Sequence, residues 1–323
     1  REPFNVGAQR LPLRISIGYA TAAPGATSSE TLLRHAEAAL HMAKREGGGR
    51  IARFSPNEEA RLLARHDTLL GLRQALERDE FRLHYQPQIE LASGRLVGVE
   101  ALVRWQHPER GLLGPDSFLP VAEAHGLIGE LGRWVLDQSL AQLAAWRAAG
   151  HPEINLAVNV SPRELSARWA ADVRDLLARH AIAPERLEIE ITESCLIERP
   201  AEVIAWLREL RDLGVGIALD DFGVGYSSLS QLKSLPITRL KLDRSFIGDI
   251  ADPVSLGFIE AFAALARALG VPTVAEGIET PAQHAKLLQL SRYAQGYFYS
   301  RPLPADQLPG WAAAWPEQSR LAA

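Results

Sequence analysis

From Phe81 onward, short apolar runs with strand character alternate with amphipathic runs of helical period, and few architectures absorb such an alternation. The strand-like runs are residues 81–87, 96–105, 154–160, 187–192, 215–220, 239–242, 273–275 and a weak eighth near 294–297. Helix-like runs lie between most of them, first at 116–125 and 131–149. Another is predicted to start at SPREL, with Ser161 as N-cap, Pro162 at the first helical position and Glu164 at the third, a capping box. Thr280, Pro281 and Gln283 repeat the device. Eight strands alternating with helices over ~240 residues predict an α/β chain closed into a (β/α)8 barrel of TIM type. No helix separates the first two strands. Their link contains Ser93-Gly94, a hairpin turn, so the first strand should run antiparallel to the second.

Ahead of the barrel, residues 11–20 read as a short alternating strand and "IARF" as another. The helix between them should be capped by Ser29, carry apolar positions at Leu32, Leu33, Ala36, Ala39 and Leu40, and stop at Gly47-Gly48-Gly49. Residues 1–56 therefore form a small α+β unit, marginal as a core of its own. Residues 57–78 read as one helix with leucines at 62, 63, 69, 70, 72 and 76. It is either a packed linker or a helix that carries a signal between two domains. Residues 79–323 are left for the barrel.

Composition removes several function classes. Lys and Arg number 35 against 39 Asp and Glu, a net charge of −4, which argues against binding nucleic-acid polymers through a basic surface. No apolar run reaches the ~18 residues of a membrane span, and the start lacks signal-peptide features. Cys195 is the single cysteine, so no internal disulfide forms, in keeping with a reducing, cytoplasmic setting. The full-length protein could still be tethered to a membrane from upstream.

The chemistry is expected where the strands end. Barrel enzymes place it at the C-terminal ends of their strands. Here those ends read Glu100, Asn159, Glu190 with Glu193, Asp220 with Asp221, Lys241, Glu276 with Glu279, and Gln295. Five carboxylates converging without a cation would cost several kcal/mol, roughly, in repulsion and desolvation. Carboxylate and amide oxygens suit Mg²⁺ or Mn²⁺, whereas the nine scattered His offer no zinc spacing. In a regular strand Asp220 and Asp221 would face opposite ways. At a strand end entering a loop with Gly223 and Gly225, both can reach the mouth, and one could bridge two ions. Paired metals ~3.5–4 Å apart serve phosphoester hydrolysis. Lys241 could orient the water or steady the charge that develops on phosphorus.

Glu100-Ala101-Leu102, within "GVEALVRW", resembles the signature of EAL domains, phosphodiesterases of the bacterial second messenger cyclic di-GMP. "YQPQI", "VNVSPREL", "EIEITES", "LDDFGVGYSSL", "LKLDRSFI", "AEGIET" and "QGYFYSRPL" extend the resemblance in the family's order over about residues 68–315. The resemblance implies that Glu100, Asn159, Glu190 and Asp220 ligate a first metal, and that Asp220 and Asp221 serve a second. It implies that Lys241 contacts the attacking water and that Glu276 acts at or beside the metals, as a possible general base. Gln86, Leu102, Arg104 and Gln295 would hold the substrate. Glu193 and Asp243 would anchor the loop after the fifth strand, which resembles the family's dimerisation element and implies a homodimer. The implied reaction opens cyclic di-GMP to linear pGpG. A non-catalytic cyclic di-GMP receptor is the alternative. Before "QGY", Ser291-Arg292-Tyr293 stands about one residue shorter than the family's usual segment, which would shift Gln295. "LRISIGYA" and the helix after it resemble the C-terminal half of a GGDEF cyclase domain, without that domain's signature loop.

Overall fold

A computed structural model describes residues 4–6, 9–11, 15–22, 27–45, 48–151, 154–192, 195, 200–220 and 232–321. The chain divides into two units, Arg1–Gly71 and Leu72–Ala323. The helix Pro56–Ala75 spans that division in sequence.

In the first unit, Phe4–Val6 pairs antiparallel with Gln9–Leu11. Ile17–Tyr19 and Ile51–Arg53 pair in parallel, joined by the helix Ser29–Arg45. The helix lies directly on the sheet at Gly18, where an added Cβ would stand 2.0 Å from the Leu40 nitrogen. Ala39, Ala43 and Ala52 form the core between them, with Met42 and Phe54 packed against it. Two expectations shift. The cap is Ser28, whose Oγ accepts from the Thr31 N–H at 3.2 Å, and Leu33 faces outward. The opposite sheet face leaves Ile15, Ile17, Tyr19 and Ile51 exposed.

The second unit is the expected α/β barrel. Its strands are β1 (Phe81–Glu90), β2 (Leu96–His107), β3 (Asn155–Val160), β4 (Leu187–Thr192), β5 (Gly216–Asp220), β6 (Arg239–Leu242), β7 (Thr273–Ala275) and β8 (Tyr293–Ala294). β2, β3, β4, β5, β6, β7 and β8 follow one another in parallel. β1 closes the ring antiparallel to both β2 and β8. Helices α1 (Ile128–Ala148), α2 (Ala167–Arg179), α3 (Pro200–Leu213), α4 (Pro253–Leu269), α5 (Pro281–Leu287) and α6 (Leu308–Leu321) accompany them. The strands read as near-continuous apolar runs because parallel strands are covered on both faces. Val99, Leu156, Ile189, Ile217, Leu240 and Val274 are at most 1% exposed. Among the described residues, no helix is long and apolar enough to cross a membrane.

The capping box at Thr280 forms as expected, with Gln283 Oε1 accepting from the Thr280 N–H and Thr280 Oγ1 from the Gln283 N–H. The one at Ser161 does not start a helix. Glu164 Oε2 does reach back to the Ser161 N–H at 2.8 Å, but the segment makes a single turn. Ser161 Oγ donates to Glu123 Oε1 at 2.7 Å, and Glu164 is pressed against Gly132 of α1. These contacts hold the turn away from a helical path, and α2 begins later, capped by Ser166.

Candidate active site

The inward positions of β4, β5 and β6 deliver Glu190, Asp220 and Lys241 to one point inside the barrel mouth. Lys241 is 1% exposed. Its Nζ donates to Glu190 Oε2 at 2.6 Å and to Asp220 Oδ2 at 3.1 Å, and pairs with Glu276 Oε1 at 2.6 Å. Glu100 stands beside this group. It takes hydrogen bonds from Asn159 Nδ2 at 2.6 Å and Gln295 Nε2 at 2.5 Å. Gln295 Nε2 also donates to Gln86 Oε1 at 3.0 Å, and Gln86 Nε2 donates to the Ser300 carbonyl at 3.2 Å. Six strands and the segments after β7 and β8 thus converge. The register of β8 against β7 and β1 is regular, so the shortened segment before it leaves Gln295 on target.

Two placements differ from expectation. Glu100 is not a strand end: β2 runs on to His107 and folds against the strand Gly111–Leu113, so Glu100 sits mid-strand, opposite Gln86. Glu279 does not join the mouth; it is exposed, and its N–H donates to Gln283 Oε1 at the start of α5. Asp221, Glu193 and the loop that follows Asp220 lie outside the described residues. Asp243 caps the turn Arg244–Gly248, its Oδ1 accepting from the Ser245 N–H at 2.9 Å. A cavity of about 680 Å³ opens here, lined by Glu100, Leu102, Asn159, Glu190, Asp243 and Glu276 among others. That volume suits a nucleotide-sized ligand.

The charges do not balance within the protein. Burial would lower the Lys241 ammonium, but the carboxylates of Glu100, Glu190, Glu276 and Asp220 outweigh it and hold the pKa well above the ordinary lysine value. Burial also works to raise Glu100, yet Lys241 and the Gln295 and Asn159 amides keep it below the usual carboxylate range. Burial, followed by the charges of Glu100, Asp220 and Glu276, pushes Glu190 well above that range despite Lys241. Burial pushes Glu276 up to about 8. One ammonium thus faces more carboxylates than it can neutralise. Glu190 Oε1 and Gln295 Oε1 are buried without a hydrogen-bond partner. Hard oxygen donors with surplus negative charge and an orphaned carboxylate oxygen fit a hard divalent cation. As they stand, the acids turn toward Lys241, and among the described residues no three His, Cys, Asp or Glu side chains form a ready cation cage.

Residues that sequence reasoning missed extend the site. Glu123 joins Ser161 and Glu164 on the same cavity wall. A second polar tier lies one layer lower: Arg239 Nη1 donates to Glu188 Oε1 at 3.0 Å and Gln88 Oε1 at 3.3 Å. Each member stands two residues from Gln86, Glu190 or Lys241, so the period of two along a strand was the signal.

Glu164 gives a measurable consequence. Burial, with a smaller push from Glu123, raises its carboxyl to about 8 against the Ser161 N–H bond. The folded chain then holds a proton that the unfolded chain releases above about 4.5. Stability should fall as pH rises through that window. Glu164→Gln keeps an acceptor for Ser161 and removes the slope. We expect a gain of roughly 2 kcal/mol at pH 8.5 and little change at pH 4.5, read from urea midpoints. Equal gains at both pH values would dismiss the assignment.

The fold and mouth define a (β/α)8 barrel with an antiparallel first strand and a carboxylate–lysine centre. A family model described as EAL domain matches residues 71–302. The chain belongs to the EAL domain family, as its motifs indicated. It is 40% identical over 310 residues to the bifunctional diguanylate cyclase/cyclic di-GMP phosphodiesterase MucR of Pseudomonas aeruginosa, covering 95% of this chain and 45% of that protein. It is 39% identical over 319 residues to the cyclic di-GMP phosphodiesterase PdeR of Escherichia coli K12, covering 96% and 47%. The chain thus spans less than half the length of these curated relatives. The structure described as "PaMucR Phosphodiesterase, c-di-GMP complex" is similar at a TM-score of 0.72 and 45% identity, covering 75% of this chain and 99% of that one.

Proposed function

We propose that this barrel is a phosphodiesterase that hydrolyses cyclic di-GMP to linear pGpG with Mg²⁺ or Mn²⁺, using two ions. The observation that carries the reading is the buried Lys241 ringed by more carboxylates than it neutralises, with Glu190 Oε1 orphaned. Glu100, Asn159, Glu190 and Asp220 would hold one ion, and Asp220 with Asp221 the other. Bound there, the ions would supply an activated water and charge neutralisation at the attacked phosphate. Lys241 orients the water and places positive charge beside the reacting phosphate. Glu276, held partly protonated by its burial, is poised to exchange a proton in the same place. Gln295 fixes the Glu100 carboxylate, and Gln86 fixes Gln295. Arg104 and Leu102, on the same face of β2 as Glu100, hold the phosphate and the sugar edge. Relatives named cyclic di-GMP phosphodiesterases support the substrate. As the target of a bacterial second messenger, the barrel would work in the cytoplasm.

We read residues 1–56 as the C-terminal half of a GGDEF-like domain. The support is a βαβ unit with one open apolar sheet face, where parallel strands are ordinarily covered on both sides. We further propose a homodimer through the loop after β5.

Purified protein with Mg²⁺ or Mn²⁺ should convert cyclic di-GMP to pGpG, resolved by chromatography, and the conversion should stop with chelator. Binding at saturating metal without turnover would leave a receptor in place of an enzyme. The same preparation should make no cyclic dinucleotide from GTP and should sediment as a dimer; a monomer at micromolar concentration would count against the interface.

A further inference from the structure

Two long side chains reach across β5 at different depths of the barrel. At the mouth, Lys241 on β6 bypasses β5 to meet Glu190 on β4, Nζ to Oε2 at 2.6 Å. Two residues earlier on each strand, Arg239 Nη1 donates to Glu188 Oε1 at 3.0 Å, and to Gln88 Oε1 of β1 at 3.3 Å. Residues two apart share a face of a strand, so the lower contact lies beneath the upper one. Strands two places apart in a sheet are separated by roughly 10 Å, which only a long side chain can bridge. β5 leaves the way clear. Its residues at this depth are Gly216, level with Glu188, and Ala218, level with Arg239. A Cβ added at Gly216 would already stand 3.4 Å from the Glu188 side chain.

The two contacts differ in what else their members can touch. Glu190 lines the large cavity of the mouth, and its Oε1 has no hydrogen-bond partner. The lower pair is committed to the protein: Glu188 is 6% exposed and Arg239 9%. The Arg239 guanidinium also lies over the Tyr293 ring of β8, Cζ 4.5 Å from the centroid. Apolar side chains of like volume often fill such a layer at equal or greater stability. Stability alone therefore does not account for the pair.

We propose that Arg239 is a positioning residue. With Glu188 it forms a fixed tie between β4 and β6 that holds Glu190 and Lys241 at their spacing when a divalent cation takes Glu190 away from the ammonium. The cation competes with the upper contact and leaves the lower one intact. This rests on the reading of the mouth as a metal-dependent phosphodiesterase, and adds to it a residue that touches neither substrate nor ion.

The test is Mn²⁺ binding, followed by loss of the free-ion signal in electron paramagnetic resonance, beside urea midpoints and hydrolysis of cyclic di-GMP. Arg239→Met combined with Glu188→Leu removes both charges and should keep a urea midpoint close to the parent's. Its Mn²⁺ affinity should nevertheless fall about 10–100-fold, the scale for disturbing groups that orient metal ligands. At saturating Mn²⁺, kcat should drop about tenfold while KM for cyclic di-GMP changes much less. Arg239→Lys should recover most of the Mn²⁺ affinity, because a single nitrogen makes both lower contacts. Glu188→Gln keeps the size of the acid and an acceptor for Arg239, so it reports even where the double variant does not fold. It should weaken Mn²⁺ binding by more than about threefold. Mn²⁺ affinity within twofold of a parent that binds the ion, in either variant, overturns this inference alone. So does an affinity that falls only in step with the urea midpoint. A parent that binds no Mn²⁺ and leaves cyclic di-GMP intact overturns the reading beneath it.

Discussion

Lys241→Met should destabilise the barrel by about 3–5 kcal/mol, the cost of leaving buried charge uncompensated. Methionine matches the lysine stem in volume, so packing changes little and the loss is electrostatic. Lys241 touches Glu190, Asp220 and Glu276, and Glu100 stands close enough to feel its charge. Without the ammonium, these acids can escape mutual repulsion only by taking up protons. The folded variant would then bind more protons than its unfolded chain over a wide range above the ordinary carboxylate pKa. The deficit against the parent should therefore grow as pH rises, and be larger at pH 8 than at pH 6. Urea midpoints at the two pH values measure it. A variant as stable as the parent at pH 8 would mean that the acids do not share one point. Turnover should fall by roughly 10²–10³-fold in the same variant, the scale of removing one preorganised group at a developing charge.

Glu100→Gln should separate chemistry from folding. The amide keeps the size of the acid and can still accept from Asn159 or Gln295. It also loses the charge that Lys241 and the Gln295 and Asn159 amides favour in the folded chain, so urea stability should fall modestly at neutral pH and less at low pH. Hydrolysis should nevertheless drop by more than about 10³-fold, over ~4 kcal/mol of transition-state stabilisation. The proposed ion would lose an anionic ligand while the fold stays intact. Asp220→Asn should behave alike. Activity within tenfold of the parent for Glu100→Gln would remove Glu100 from the metal site.

The strands and their order were legible because each β-strand is short, apolar and bounded, and because the first link carries a hairpin turn in place of a helix. The residues of the mouth were legible as types, since Glu, Asp, Asn and Lys at inward positions of apolar strands have no other ready use. Their mutual geometry was not. Nothing local to Lys241 says that its ammonium occupies the centre of the acids, because that depends on β4, β5 and β6 lying side by side. The Ser161 box shows the same limit from the other direction. Its sequence is that of a helix start, but contacts with Glu123 and Gly132, distant in sequence, keep it a turn. Glu100 was misjudged as a strand end because the hairpin with Gly111–Leu113 extends β2 past the mouth.

The reversed first strand decides from which side the barrel can be reached by the chain before it. A parallel first strand would enter through the closed floor. β1 instead begins level with Arg104 and Trp105, through the pairs Arg82 with Arg104 and Phe81 with Trp105, and descends past Gln86 to the turn beneath. Glu80 holds this entry on both sides: its carbonyl accepts from the Gln106 N–H at 2.8 Å and its carboxylate from Trp105 Nε1 at 2.9 Å. The upstream polypeptide is thus spliced to the working rim itself. A tug or twist on residues 79–82 arrives at Arg104 through one rung of a ladder, with no need to cross the barrel.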